Sequence, residues 1–531
     1  MIDRSNHRRL GTPFSRHRFR PLSVAVLIVL AVPAGLAQDC DPLESQKILA
    51  SDGDSSDRFG CSVSMSGSTA VIGAYFDEDN GGGSGSAYAF NWDGTGWREQ
   101  AKLTARDGEP WEYFGYAVAC TESLALIGAP QDTHDGTLSG SAYVYRYDSE
   151  LLEWKPEAKL LPSGGENNDY FGCAVSISGN IAVVGASLAN PLGHNSGAVY
   201  VYYYNGTRWI EQATLTAPGG GPEDTFGEAV SVWDDVILVG ASGNDDRGVA
   251  SGAAYVYRFN GSRWVAEATL TASDAAVLDY FGRAVAVRDG LAVISAPGHN
   301  GSVPDGGATY VFAYNGLEWG EESILTALDE QSGRVYGSSL AVDTDVVLVG
   351  AYFDNDQAER SGAAYLYRYD GIEWAEQGKL TASDGRFYDK FGCSVSLFGQ
   401  QALIGAYYSD VLGDSSGSAY AFRINCQPTF RLAVSGPCPG PMRLSTSHGT
   451  SHESVAFLYG FSAGTTVIPP RFPCAGTTIN LGSGAALIET AVADEHGTAV
   501  IDVDVPSSAC SRVLVQAVDL TTCTTTRVTG L

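Results

Sequence analysis

A Phe-Gly or Tyr-Gly step recurs at Phe59, Phe114, Phe171, Phe226, Phe281, Tyr336 and Phe391, at intervals of 55, 57, 55, 55, 55 and 55 residues. A fixed period of this size constrains the fold more than any other pattern. Each unit is one supersecondary module that cannot bury its apolar face alone, so neighbours must stack. Within a unit the order is constant. Phe-Gly leads into a short apolar stretch such as Cys61-Ser-Val-Ser-Met65, a tight polar turn, and a run such as Ala70-Val-Ile-Gly-Ala74. A long polar loop then precedes Ser-Gly-x-Ala-Tyr (84–88), a turn and Trp-x5-Leu (97–103).

This reads as four short strands per unit, rich in β-branched and aromatic residues and bounded by Gly, Asn and Asp. Asn205-Gly206, Asn260-Gly261, Asn315-Gly316 and Asp370-Gly371 fall between the third and fourth strands. They predict two-residue hairpins with positive φ at both central residues. Seven four-stranded units around an axis make an all-β, seven-bladed propeller. The seventh unit stops after Ser416-Gly-Ser-Ala-Tyr420 without its fourth strand. The missing piece stands at the front of the chain, where Gln46-Lys-Ile-Leu-Ala-Ser-Asp52 matches Gly378-Lys-Leu-Thr-Ala-Ser-Asp384. The N-terminal segment is therefore expected to close the last blade and leave no open sheet edge. Cys40 and Cys426 flank that join, so a disulfide there is expected as a lock.

With these motifs the chain resembles the FG-GAP repeats of integrin α-subunit propellers and their bacterial relatives. The resemblance rests on the seven Phe-Gly steps and on Gly73-Ala74, Gly128-Ala-Pro130, Gly185-Ala186, Gly240-Ala241, Ser295-Ala-Pro297, Gly350-Ala351 and Gly405-Ala406. It covers roughly residues 44–424. It implies adhesion or recognition, with ligand contacts on the long-looped face. Integrin propellers also carry Asp-rich calcium loops between first and second strands. Here that junction is two to four residues long, as at Ser66-Gly67 and Asp234-Asp235. That leaves no room for five or more oxygen ligands, so the calcium site does not carry over.

Residues 1–37 read as a secretory signal peptide, with six arginines, an apolar core over 22–32 and Gly35-Leu-Ala37 as cleavage site. Export makes disulfides admissible for the ten cysteines. Cys438, Cys474, Cys510 and Cys523 lie in the tail and allow three pairings. Cys61, Cys173 and Cys393 share the position after Phe-Gly; Cys61 and Cys393 are either bridged or buried free thiols. The full chain has 32 basic and 61 acidic residues, and removing 1–37 leaves 26 against 60. A net charge of −34 on the remainder disfavours nucleic acid and anionic membranes as partners. The domains are thus 1–37, a propeller over 38–426, and a β-sandwich-like C-terminal domain over 427–531, where Ile501, Val503 and Val505 alternate with Asp502 and Asp504. No membrane insertion is expected, and a monomer is.

Acidic residues recur in register. Asp57, Glu112, Asp169, Asp224, Asp279 and Asp389 stand two before the aromatic, and Asp52, Asp107, Asp274, Asp329 and Asp384 seven before it. The former read as caps that accept loop amides. The second-to-third-strand loops carry Asp77 and Asp79, Asp132 and Asp135, Asp245 and Asp246, Asp354 and Asp356, and Asp410 and Asp414. These ten form the candidate ligand-binding face. The metal candidates, for a weakly held divalent cation such as calcium, are Asp52, Asp54 and Asp57, the pair Asp77 and Asp79, and the pair Asp354 and Asp356; none meets a full calcium-loop pattern, and no other cofactor is expected. Trp97, Trp154, Trp209, Trp264, Trp319 and Trp374 read as blade packing rather than sugar platforms, and His134, His194 and His299 as surface residues. No catalytic motif stands out. The expectation is a secreted or cell-surface protein that binds an extracellular protein or glycan. The alternatives are a hydrolase or lyase with convergent carboxylates at the axial mouth, and a structural envelope component.

Overall fold

The computed structural model describes residues 42–424, except 135, 330–332 and 371–372, together with strands and a few flanking positions between residues 431 and 530. Residues 1–37, Cys40, Cys426 and the four tail cysteines fall outside the described residues, and with them the signal peptide and the disulfides expected there.

Seven antiparallel four-stranded sheets follow one another. Blade 1 runs Val63–Ser66, Thr69–Ala74, Ser86–Trp92 and Trp97–Leu103, paired in that order. Blades 2 to 6 repeat the plan. Blade 7 takes Val395–Phe398, Gln401–Ala406 and Ser418–Arg423, and its fourth strand is Leu43–Ile48 from the N-terminus. Ile48 pairs with Ala419 and Lys47 with Tyr420, in the register the sequence predicts. The first strands, from Val63–Ser66 round to Val395–Phe398, touch in sequence, and the last touches the first, so the ring is closed. Second strands such as Thr69–Ala74 and Val346–Ala351 are buried along their whole length, which is why they read as unbroken apolar runs.

The repeated motifs are the seams between blades. The Phe59 amide donates to Ser416 O at 3.0 Å, and Phe114, Phe171, Phe226, Phe281 and Phe391 donate likewise to the serine of the previous Ser-Gly. Each Phe is fully buried and packs edge-on against the third-strand Tyr, as Phe59 does on Tyr88 at 5.4 Å. A Cβ on Gly185 would collide with Gly227 O of the next blade; Gly73, Gly128, Gly240, Gly350 and Gly405 face the same obstacle. The Gly-Ala glycine is therefore needed for close backbone approach rather than for its torsion angles.

The innermost strands have no backbone partner on their axial side. Serine hydroxyls supply one. The Val118 amide donates to Ser62 Oγ at 3.0 Å, Val232 to Ser176, Val287 to Ser231 and Val63 to Ser394. This stitching satisfies amides that would otherwise be buried and unpaired.

One detail differs from expectation. The Asn-Gly turns are four-residue loops, since Tyr204 pairs with Trp209. Only Gly206 has positive φ, at 93°. Asn205 stays in the ordinary region because its Oδ1 accepts from the amides of Thr207 (2.9 Å) and Arg208 (3.0 Å), which replaces the tight turn.

The C-terminal segment is also antiparallel β. One sheet joins Arg431–Ser435, Gly440–Ser447 and Val500–Val505; a second joins Ala486–Val492, Ser454–Gly460, Leu514–Asp519 and Thr529–Gly530. Among the described residues, no helix is long and apolar enough to cross a membrane.

Candidate ligand-binding face

The loops that lead into first strands and the loops between second and third strands share one rim. They bond to each other across blades. Ser56 and Arg58 donate to Asp414 O and Ser415 O, while Trp111 and Tyr113 donate to Gly82 O and Gly83 O. The opposite rim consists of short turns.

Most of the repeated carboxylates on this rim serve the scaffold. Asp57, Glu112, Asp169, Asp224, Asp279 and Asp389 each accept from the amide three residues earlier, at 2.6–2.9 Å. They are the caps the sequence suggests. Burial pushes Asp57 and Asp389 up to about 6 and Glu112 to about 7. In blade 6 the buried Arg334 takes this place and donates to Asp329 and Tyr365. Asp52, Asp107, Asp274, Asp329 and Asp384 each accept from the third-strand tyrosine at 2.7–3.0 Å.

The candidate loop acids divide into two groups. Asp77, Asp132 and Asp354 are buried, not loop charges. They accept from Tyr88 (3.0 Å), Tyr143 (2.8 Å) and Tyr365 (2.8 Å). A lysine from the fourth strand completes each cluster. Lys102 Nζ lies 2.8 Å from Asp52, 2.8 Å from Asp77 and 2.6 Å from Asp79. Lys159 bridges Asp107 and Asp132, both at 2.7 Å. Lys379 bridges Asp329 (2.9 Å), Asp354 (2.8 Å) and Asp356. The acidic trio Asp329, Asp354 and Asp356 is close enough to hold a metal ion, but the ammonium of Lys379 already sits on all three. Burial alone would raise the Asp52 carboxyl; hydrogen bonds from Lys102 and Tyr88 outweigh it and hold it low. Asp245, Asp246, Asp410 and Asp414 are exposed; Asp245 and Asp410 cap Ala250 and Ser415 within their own loops. Asp135 lies outside the described residues.

The trio Asp52, Asp54 and Asp57 is not gathered into one centre. Asp52 turns to Lys102, Asp57 caps Asp54 N, and Asp54 accepts from Ser55 N at 2.7 Å. The fourth-strand tryptophans pack between blades, with Trp154, Trp209 and Trp264 donating Nε1 to Gln100, Glu157 and Gln212 of the previous blade. His194 is exposed beside Glu223 at 2.7 Å. His299 is not a surface residue: it is half-buried at the position Asp77 holds in blade 1, facing Tyr310.

At the axis a cavity of about 610 Å³ is lined by all seven blades. The residues that follow Phe-Gly form its first ring: Cys61, Tyr116, Cys173, Glu228, Arg283, Ser338 and Cys393. Those after Gly-Ala add Tyr75, Ser187, Tyr352 and Tyr407. Cys61, Cys173 and Cys393 are free thiols, so no Cys61–Cys393 bridge is present. Each thiol instead donates to a Phe-Gly carbonyl of the next blade: Gly115 at 3.4 Å, Gly227 at 3.7 Å and Gly60 at 3.4 Å. Burial pushes Cys61 and Cys393 up to about 12, so they are inert packing groups at neutral pH. Glu228 is the one carboxylate in the lining, and Arg283 holds it at 2.9 Å.

Beside the cavity, blades 6, 7, 1 and 2 present a run of aromatic rings and cations that sequence reading overlooked. Arg58 lies 4.5 Å from the Tyr408 ring and 4.8 Å from Phe76, and donates to Tyr408 Oη at 2.8 Å. Lys390 is buried among the rings of Tyr352, Phe353, Tyr388, Tyr407 and Tyr408, at 4.3–5.6 Å. Arg58 and Lys390 both precede the Phe of Phe-Gly and stand on neighbouring blades across the closure. All seven residues at that position have positive φ, from 55° at Tyr280 to 61° at Tyr170. The loop thus holds its side chain at one fixed angle to the rim.

The FG-GAP repeat family model matches seven times, at residues 43–90, 97–145, 154–202, 209–257, 264–312, 319–367 and 374–422. Each match begins on a fourth strand and ends on the next blade's third, so the first includes the strand that closes blade 7. A search of curated proteins finds no match. Solved structures with a similar course include a chain of the "Mitotic Checkpoint Complex" (13% identity, 72% of this chain and 93% of that one, TM-score 0.42). Another is Sqt1 of Saccharomyces cerevisiae (10% identity, 76% and 96%, TM-score 0.39). With seven successive matches and seven blades to receive them, the chain belongs to the FG-GAP repeat family.

Proposed function

We propose that this protein is secreted or displayed at the cell surface and binds an extracellular protein or glycan through its long-looped face. One observation carries the reading. The seams repeat almost without change around the ring, whereas the residues that break the repeat converge on the axial mouth of that face. After Phe-Gly stand Cys, Tyr, Cys, Glu, Arg, Ser and Cys; before the Phe stand Arg, Tyr, Tyr, Thr, Tyr, Val and Lys. A scaffold alone needs no such variety at one rim. Trp111 and Phe387, exposed at 56% and 62%, add aromatic surface there that the blades do not use. The enzymatic alternative asks for convergent carboxylates at the mouth, and the lining supplies one, already paired.

The test compares the rims. The full chain, a Trp111→Ser/Phe387→Ser variant and a Leu317→Ser variant are assayed against the producer's own surface fraction. Leu317 is 90% exposed on a turn of the opposite rim. Saturable binding should be lost in the first variant at unchanged Tm and kept in the second. Binding that survives the double substitution refutes the reading.

A further inference from the structure

Three cations on the long-looped rim are gathered on aromatic rings and have no carboxylate partner among the described residues. Arg58, Lys390 and Arg360 make no ion pair among the described residues, although the chain carries nearly two acids per base. Their partners are phenols and ring faces. Arg58 donates to Tyr408 and Tyr75 (3.2 Å), Lys390 to Tyr407 (2.9 Å) and Arg360 to Tyr388 (3.4 Å). Arg360 also lies over Phe353 at 4.7 Å and Tyr388 at 5.3 Å. The three repel one another. Burial lowers the Lys390 ammonium, and the charges of Arg58 and Arg360 lower it further. On the same rim Lys102, Lys159 and Lys379 each sit on their acids, whereas Arg106, Arg247 and Arg386 are exposed single charges in their loops. A concentrated positive charge without internal compensation is what an anion site requires.

The cations also sit in a continuous strip with an exposed aromatic at each end. Trp111 meets Phe76 at 6.3 Å, Phe76 meets Arg58 at 4.8 Å, and Arg58 meets Tyr408 at 4.5 Å. Tyr408 meets Tyr388 at 5.6 Å, which meets Phe387 at 5.7 Å. Ring faces at the ends suit the apolar faces of sugar rings, and guanidinium groups between them suit carboxylate or sulfate oxygens.

We infer that this strip, on the blade 6–7–1–2 side of the axial mouth, binds an acidic glycan: a chain of sugar rings bearing carboxylate or sulfate groups. The inference rests on the binding-face reading and narrows it to one ligand class. Arg58 and Arg360, both half-buried, meet the anionic groups. Lys390 lies beneath the rings and adds its charge. Trp111 and Phe387 stack on flanking sugars. The net charge of the rest of the molecule repels polyanions, so such binding has to be local.

The test uses the full chain against polygalacturonate, a sulfated polysaccharide, a neutral polysaccharide, poly-glutamate and the producer's surface fraction. Arg58→Gln and Lys390→Met are run alongside, with Tm as the folding control. Saturable binding to the uronate or the sulfated polymer is expected, falling steeply with added salt, with none to the neutral polymer. The uronate and sulfate arms tell which anionic group is read. Arg58→Gln should weaken binding by about tenfold or more, the worth of a hydrogen bond to a charged group, and Lys390→Met, which removes only an underlying charge, by a smaller factor. Equal binding to poly-glutamate would make the partner an acidic protein and overturn the inference. So would undiminished binding by both variants. Binding to the surface fraction without binding to either acidic polymer overturns the inference but leaves the binding face standing; no binding to anything overturns both.

Discussion

Replacing Lys102 by Met isolates the device that neutralises the acidic loops. The ammonium lies at 2.6–2.8 Å from three carboxylates. Their losses are unequal. The side chains of Asp52 and Asp79 are about half exposed, at 47% and 55%, so water replaces most of what they lose. Asp77 is buried and retains only the Tyr88 hydroxyl (3.0 Å) and the Asp79 amide (3.1 Å). Removing one partner of a buried pair costs about 3–5 kcal/mol. The two remaining donors on Asp77 reduce this to about 2–3 kcal/mol. Unfolding entropy of about 2.1 cal/mol/K per residue gives ~0.8 kcal/mol/K for a domain the size of residues 42–424. The expected drop in Tm is therefore about 2.5–4 °C at pH 7.5. The variant also leaves three carboxylates around a vacated cation position, which an oxygen-seeking divalent ion can fill. Millimolar calcium should restore most of the lost Tm in Lys102→Met and move the unsubstituted protein by less than about 1 °C. Scanning fluorimetry with EDTA or calcium reads both effects. A variant as stable as the parent in EDTA would refute the claim that the ammonium holds this cluster together.

Further expectations concern the seams, the caps and the closure. Gly185→Ala should cost about 3 kcal/mol or more by urea denaturation, because its Cβ meets Gly227 O; Gly320→Ala, where a Cβ meets nothing, should stay within about 0.5 kcal/mol. Asp57 has a folded-state pKa of about 6, above its ordinary value of 3.8, so the stability it contributes is present below about pH 4 and lost as pH rises through 6. Asp57→Asn keeps an acceptor for Asp54 N and should raise stability by about 1–2 kcal/mol at pH 8 and not at pH 4, as followed by Tm against pH. Deleting residues 42–48 removes the fourth strand of blade 7 and exposes the edge of Ser418–Arg423. Limited proteolysis should then cut blade 7 first, whereas an intact blade 7 would show that closure does not depend on this strand.

The fold was legible because its signal is redundant. Seven Phe-Gly steps give the blade count, and the match of Gln46–Asp52 with Gly378–Asp384 gives the closure down to the ion pair: Lys47 reaches Asp384 at 2.7 Å as Lys102 reaches Asp52. The fate of the acids was harder to read, because the groups that neutralise them lie far along the chain. Tyr88 is 36 residues from Asp52 and Lys102 is 50. A signal was there: Asp107, Tyr143 and Lys159 repeat the Asp52, Tyr88 and Lys102 spacing nearly unchanged, as do Asp329, Tyr365 and Lys379. Loop acids in register with a tyrosine and a lysine find their partners within their own blade. The aromatic–cation strip gave no local signal. It is assembled from single variable positions on four blades, and Arg58 and Lys390 become neighbours only through ring closure.

Hydrogen-exchange footprinting of the full chain, free and with its bound surface partner, locates the surface that binds. Protection is expected on loops 52–58, 75–84, 108–116, 352–360 and 384–390 around the axial mouth, with the turns at 93–96, 205–208, 260–263 and 315–318 unchanged. Protection concentrated on those turns, or on the C-terminal strands alone, would contradict the binding-face reading.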